Sequence, residues 1–399
     1  MRFLTGTRYR ATVERTGAEF VALPPAADID IDHVDDLYPE RRSMKPIPQL
    51  RFSMETCFIA PVPAQLQAIE AAIADRPVDV ILTEMMFLAN VVLHQRPRAE
   101  RPPIIALGIF PLVAADPDVA PFGLGMTPLP GPLGRLRNRV LGRVSQRLFS
   151  PLLERLEPVF REVNGTAPRD VSAFDLPGNA DAVVQFTVPS FEYPRSTLPD
   201  TVVFAGPVRR PAPSDPELPE WWHELDGRTV VHVSQGTAAN TDLTELIVPT
   251  LRALADKDVL VVVSTGGAPL EGLGGLPANA RAAEYLPYEL LFPKVSAFVT
   301  NGGYGGLHFA LAHGVPIVAA GTSEDKLETT ARVQWSGVGI RLRTQRPTER
   351  AIRRAVDDVL SDPRYRRAAG RVRDQIAASP GLAAIDDMIA SQVRAFPSD

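Results

Sequence analysis

Residues 298–326, FVTNGGYGGLHFALAHGVPIVAAGTSEDK, constrain the fold more tightly than any other stretch. Phe298-Val299-Thr300 is short, apolar and β-prone, which predicts a buried strand. Asn301-Gly302-Gly303-Tyr304-Gly305-Gly306 follows, where glycine permits backbone angles that side chains forbid. Leu307 to His313 reads as a helix that stops at Gly314, and Val315 to Ala319 as the next parallel strand. A glycine loop opening a helix presents unpaired N–H groups at the positive end of the helix dipole, which suits a phosphate. Glu324-Asp325-Lys326 falls just past the second strand, at the carboxyl edge where α/β sheets bind ligands.

Three readings fit this unit. The first is a glycine turn that serves only close helix–strand packing. A dinucleotide site would explain the acid about 20 residues after the glycines, but GGYGG is not GxGxxG and the unit sits late in the chain. The third reading is a nucleotide-sugar site. TNGGYGG, AHGVPIV, EDK and ARVQWSGVGIRL stand in that order. Together they resemble the donor-binding signature of the family 1 glycosyltransferases, the UDP-glycosyltransferase-like group of bacterial natural-product biosynthesis. The resemblance covers nearly the whole chain and is stronger in its second half. It implies an α/β, GT-B fold: two Rossmann-like domains facing a central cleft.

The chain divides to match. Strands are predicted at Val78–Leu82, Ile104–Leu107, Ala182–Phe186 and Val202–Phe204, giving a first, acceptor-binding domain over 1–205. Residues 206–220 include GPVRRPAPSDPELP, a proline-dense linker. A donor-binding domain is expected over 221–380, with strands at Thr229–Ser234 and Val259–Ser264 and a helix over Asp242–Ala255. Helix 381–399 then crosses back to the first domain. The opening, strand Arg2–Thr5, helix Thr7–Thr16 and strand Ala18–Leu23, resembles the family pattern from its second strand onward. The first strand, its loop and its helix are expected to be missing, so that the N-terminal domain is truncated. Met1 then stands where a relative has Val, as a GTG codon taken for a start would produce. A sheet edge exposed there would be open to self-association.

Composition bounds the partners. The 399 residues are 45% hydrophobic, enough for two cores. A net charge of −5 gives no nucleic-acid footprint. Cys57 stands alone, which excludes a disulfide framework and a cysteine metal site. No apolar run approaches membrane-span length and the first residues are not a signal peptide, so a cytoplasmic location is expected. Asp28, Asp30, Asp32, Asp35 and Asp36 lack the glycine and glutamate of a calcium loop. Gly108 to Pro132 reads as a long loop whose Phe110, Phe122 and Met126 would line an apolar pocket. Residues 133–160 carry Leu133, Leu136, Val140, Val144 and Leu148 among Arg135, Arg137, Arg139, Arg143 and Arg147. A helix packed on its own domain with a solvated arginine face is expected there, and membrane contact is not.

Sugar transfer must stabilise a leaving diphosphate, orient the sugar and deprotonate the acceptor. The resemblance implies donor binding by Asn301, Gly302, Gly303, Tyr304, Gly305 and Gly306, with Asn301 where the family commonly has His. Ser234, Gly236 and Thr237 resemble its phosphate loop, and Thr265 follows the neighbouring strand. Leu286 and Pro287 would cradle the base. Glu324, Asp325 and Lys326 would hold the sugar, Lys326 replacing the family's usual Gln and adding a cation. Phe309 stands where many relatives bind ribose through Glu, a role His308 beside it could take. The family's base is a His in the missing first loop. Glu84 matches the acid that partners it and is the remaining catalytic candidate, a better base if burial raises its pKa. The expected activity is inverting, metal-independent transfer of a hexose from UDP- or TDP-sugar to a hydroxyl of an apolar small molecule, with no cofactor. The absent His motivates an alternative, a non-catalytic nucleotide-sugar-binding or auxiliary protein.

Overall fold

The computed structural model describes residues 1–399 except 31–32, 169–174, 176, 210–213, 238–239, 324 and 396–399. Strands β3 (Ile81–Glu84), β4 (Ile104–Gly108), β5 (Ala182–Gln185) and β6 (Val202–Phe204) form a parallel sheet in that order. Six further parallel strands build a second sheet: β7 (Val230–Ser234), β8 (Leu260–Ser264), β9 (Ala280–Ala283), β10 (Val295–Thr300), β11 (Ile317–Ala320) and β12 (Gly339–Leu342). Their order is β12-β11-β10-β7-β8-β9. The apolar runs Val230–Ser234 and Leu260–Ser264 are buried throughout, as parallel strands covered on both faces require. Alternate residues feed opposite cores. Val230, Val262, Phe298 and Ile317 pack on one side of the sheet. Val231, Val263, Val299 and Val318 pack on the other.

Strands β1 (Arg2–Thr5) and β2 (Glu19–Ala22) pair only with each other, in a separate two-stranded parallel sheet. They dock through helix α1 (Val62–Asp75), where the carbonyls of Ala72 and of Arg76, the residue that ends the helix, accept from the Arg2 guanidinium. The sheet of the N-terminal half is thus interrupted between β1–β2 and β3–β6. The helical run Pro48–Asp75 is, by length and composition, apolar enough to cross a membrane. The sequence shows no contiguous apolar stretch there because polar residues interrupt it. Its Val62, Leu66 and Ile69 lie in the core beneath β3–β6.

Five other helices position the site and its surroundings: α2 (Pro132–Glu154), α3 (Ile247–Leu254), α4 (Tyr304–Ala312), α5 (Lys326–Trp335) and α6 (Ala383–Ala395). Helix α6 lays Ala384, Ile385 and Met388 on Ile105, Ala182 and Val184 of the first sheet. Three boundaries differ from expectation. Strand β3 begins at Ile81, not Val78, and runs through Thr83 and Glu84. Helix α3 begins at Ile247, not Asp242, because the Gln235 amide oxygen accepts the N–H groups of Leu246 and Ile247 and fixes the start there. Helix α4 begins at Tyr304, so Gly305 and Gly306 belong to its first turn rather than to a loop.

Candidate active site

Strand order locates the site. β7 neighbours both β8 and β10, so the chain leaves β7 in one direction and returns on its other side. This is a topological switch point, where α/β sheets leave a crevice at the carboxyl ends of the strands. Ser234 ends β7 and Thr300 ends β10, and the two are paired in register. The residues that follow them, 235–237 and 301–303, therefore flank one crevice. Across it the Asn301 amide donates to the Gln235 carbonyl at 2.5 Å. The loop beyond β11 closes the third side, with Gly321 so tight against Asn301 that a Cβ would lie 2.0 Å from its carbonyl oxygen.

The glycines have separate tasks. Gly302 has φ +94°, and a Cβ there would lie 2.7 Å from Thr330 Cγ2. Its carbonyl accepts from the Thr329 hydroxyl at 2.6 Å, tying the loop to α5. Gly303 caps α4 in extended geometry. Gly305 is exposed with open space where its Cβ would be. The first-turn N–H groups of α4 have no partner within the helix and face outward at its positive end. Lys326, the first residue of α5, is buried at 4% exposure. It lines a small cavity with Gln235, Glu245, Asn301 and Gln345. The ends of β7 and β10, the loops after them and buried Lys326 thus meet at one crevice.

Other predicted residues are held differently. Ser234 is buried, and its hydroxyl accepts from Gly236 N–H at 3.2 Å. Gly236 is half-exposed in left-handed geometry at φ +74°, and Thr237 is exposed. The buried Thr265 hydroxyl donates to the Ala268 carbonyl, and Asn240 bridges the Thr265 and Gly266 carbonyls. Leu286 and Pro287 are half-buried at the start of the helix Tyr288–Leu291. The Tyr304 side chain turns away from the crevice into the domain boundary, edge-on to His308 with centroids 4.3 Å apart. Only its backbone is available to a donor. His308 offers nothing to a ribose: Nδ1 donates to the Tyr304 carbonyl, which leaves Nε2 to accept from the Thr187 hydroxyl, both at 2.8 Å. Burial pushes its pKa down to about 4, so it is neutral. Asp325, the residue before α5, is half-buried, and Glu324 lies outside the described residues.

Residues 248–390 match the family model described as the erythromycin biosynthesis protein CIII-like C-terminal domain. Over 391 residues the chain is 42% identical to 4'-demethylrebeccamycin synthase of Lentzea aerocolonigenes, covering 98% of this chain and 91% of that protein. Over 414 residues it is 34% identical to UDP-glycosyltransferase 2 of Phaeomoniella chlamydospora, covering 97% and 88%. The chain belongs to the family 1-like natural-product glycosyltransferases. The fold agrees. The calicheamicin glycosyltransferase CalG4 superposes with a TM-score of 0.73 at 21% identity, over 100% of this chain and 91% of that one. VinC, solved with DTDP, gives 0.67 at 17% identity over 99% and 92%. The architecture is GT-B.

In this glycosyltransferase the two domains meet through charges that sequence reading missed. Arg332 of α5, 1% exposed, donates from Nε and Nη2 to the two carboxylate oxygens of Glu192, at 2.7 and 2.9 Å. Its Nη1 donates to Glu328 at 2.9 Å. Glu328 in turn accepts the N–H groups of Gly123 and Gly125, in the long loop of the first domain, at 2.9 and 2.8 Å. Burial pushes the Glu192 pKa up, but the Arg332 and Arg195 charges outweigh it and hold the carboxyl below its ordinary range. The helix that carries Lys326 is thereby fastened to the opposite domain. No local pattern announces pairs 140 residues apart.

Glu84 ends β3, in the first sheet. Its carboxylate accepts Met86 N–H at 2.7 Å, and burial pushes its pKa up. It lies two strands from Gln185, roughly 10 Å at ordinary strand spacing. Gln185 is at the end of the strand that meets α4 through Thr187 and His308. His232 is buried in β7, stacked on Phe298 at 5.1 Å and neutral, with its pKa pushed down to about 4 by burial. His313 donates from its ring to the Phe309 carbonyl one turn back, at 2.9 Å. Phe309 itself packs against Tyr288 and Phe292. A larger cavity of about 590 Å³ lies elsewhere, lined by Arg341, Arg343, Arg364 and Arg371. It is outside the switch-point crevice and holds none of the predicted donor residues.

Proposed function

We propose that this enzyme moves a hexose from a UDP- or TDP-sugar to a hydroxyl group of an apolar small molecule, with inversion and without a metal ion. The observation that carries the reading is the switch-point crevice, where buried Lys326 lines a cavity with Asn301, the residue that opens the glycine loop leading into α4. The diphosphate would take the first-turn N–H groups of α4 and the loop around Asn301, with Lys326 supplying a positive charge. Asp325 would orient sugar hydroxyls. The acceptor oxygen bonds to the anomeric carbon as the bond from that carbon to the phosphate oxygen breaks. The acceptor proton goes to Glu84, and the nucleoside diphosphate leaves with the electron pair. Leaving-group charge is met by fixed dipoles and an ammonium group, so the reading requires no Lewis acid.

Three measurements test it. Product anomeric configuration, read by proton NMR, is expected to be inverted relative to the donor, and turnover is expected to survive a chelator. Retained configuration overturns the single displacement. Lys326→Met is expected to weaken UDP and TDP binding about 10- to 100-fold, the value of a charged hydrogen bond, as read by calorimetry. Unchanged affinity would remove Lys326 from the donor site.

A further inference from the structure

The periodicity of α2 predicts that Leu133, Leu136, Val140 and Val144 turn inward. The structure turns them outward, at 76%, 53%, 49% and 56% exposure. The inward face instead carries Gly134, Asn138, Leu141, Ser145 and Phe149. Gly134 abuts the Leu129 carbonyl so closely that a Cβ would lie 1.7 Å from it. Asn138 is buried and donates to the Pro117 carbonyl at 2.9 Å. Leu141 and Ser145 are half-buried, as is Phe149, which packs on the core beneath β3–β6. Leaving four large apolar side chains in water at helical spacing forgoes burial worth about 25 cal/mol per Å².

Charge selects the occupant. Helix α2 carries five arginines and one acid, Glu154, in a chain of net charge −5. Arg139, Arg143 and Arg147 are exposed, lie beside the apolar stripe and form no ion pair among the described residues. Arg135 is taken by Asp118. A second copy packed two-fold on the same face would bring these arginines onto one another. Four large apolar side chains also fall short of the roughly 20–30 residues a side that a stable protein interface uses. An anionic apolar surface meets both features at once.

We propose that the outer face of α2 lies on anionic lipid membranes, with Leu133, Leu136, Val140 and Val144 dipping below the headgroups and Arg139, Arg143 and Arg147 held by them. An apolar stripe flanked by arginine suits a helix lying in the interfacial plane. Helix α2 directly follows the loop whose Gly123 and Gly125 dock on Glu328, so the membrane face adjoins the cleft. An acceptor dissolved in lipid would then reach the enzyme without crossing water.

Co-sedimentation with vesicles tests this, comparing phosphatidylcholine alone with phosphatidylcholine mixed with phosphatidylglycerol. The intact chain is expected to partition at least about 10-fold better onto the anionic vesicles, and less well as salt is raised. Arg139→Gln/Arg143→Gln/Arg147→Gln is expected to cut that partition on the order of 100-fold, at about 1 kcal/mol per basic residue. Leu136→Ser/Val140→Ser should cut it independently, and both variants should melt at the wild-type temperature. Equal partition onto both vesicles, no partition, or partition untouched by either variant overturns the proposal. So does a solution dimer by light scattering that Leu136→Ser/Val140→Ser dissociates, which would assign the face to a second copy.

Discussion

Glu84→Gln is expected to lower kcat by about 10²- to 10⁴-fold, the usual contribution of a positioned general base, with little change in KM for the donor. The amide keeps the shape of the carboxylate and still accepts the Met86 N–H group, so the fold at the end of β3 should hold. The proton acceptor is what disappears. The sign of the pH dependence follows from burial. Glu84 must be ionised to act, and burial raises its pKa, so activity should rise with pH through a value above the ordinary carboxylate range. That acid limb should vanish from the residual rate of Glu84→Gln. A variant with wild-type kcat and an unchanged profile would move the base elsewhere.

Arg332→Ala carries the largest expected effect on stability, a loss of about 3–5 kcal/mol read by urea unfolding. Arg332 is buried with its guanidinium divided between Glu192 and Glu328, and its removal leaves two buried carboxylates without that cation. Glu328 also holds the loop of the opposite domain, so the loss should include loosening of the cleft and weaker donor binding. The wild-type pH response has a definite direction. The Glu192 pKa is held below its ordinary value of 4.5, so its stabilisation is present above that pH and lost as pH falls below it. Arg332→Ala should blunt that acid sensitivity. A wild-type midpoint for Arg332→Ala would mean that the network is not what holds the domains.

These residues mark how far the sequence is legible. The switch-point crevice was readable because its signals are local: apolar runs of strand length, glycines at a helix start and a charged cluster just past a strand. Strand positions follow from such patterns. The interdomain network was not readable, since Glu192 and Arg332 meet only after two sheets are built, and a Glu or Arg on a helix surface looks the same in sequence wherever it lands. Tyr304 lies inside the donor motif, yet its ring serves the domain boundary, because a side chain on a first helical turn can point away from the ligand its backbone would meet. Helix α2 shows the remaining ambiguity. Periodicity tells which side chains share a face but not which way that face turns, and here the tight approach of Gly134 and the buried Asn138 decide it.

The most direct test of the central claim is a crystal structure of the chain with UDP or TDP bound. The diphosphate is expected against the first turn of α4, within hydrogen-bond reach of Gly305 or Gly306 N–H and near Lys326 Nζ. A diphosphate seated instead among Arg341, Arg343, Arg364 and Arg371, with the switch-point crevice empty, would contradict the account.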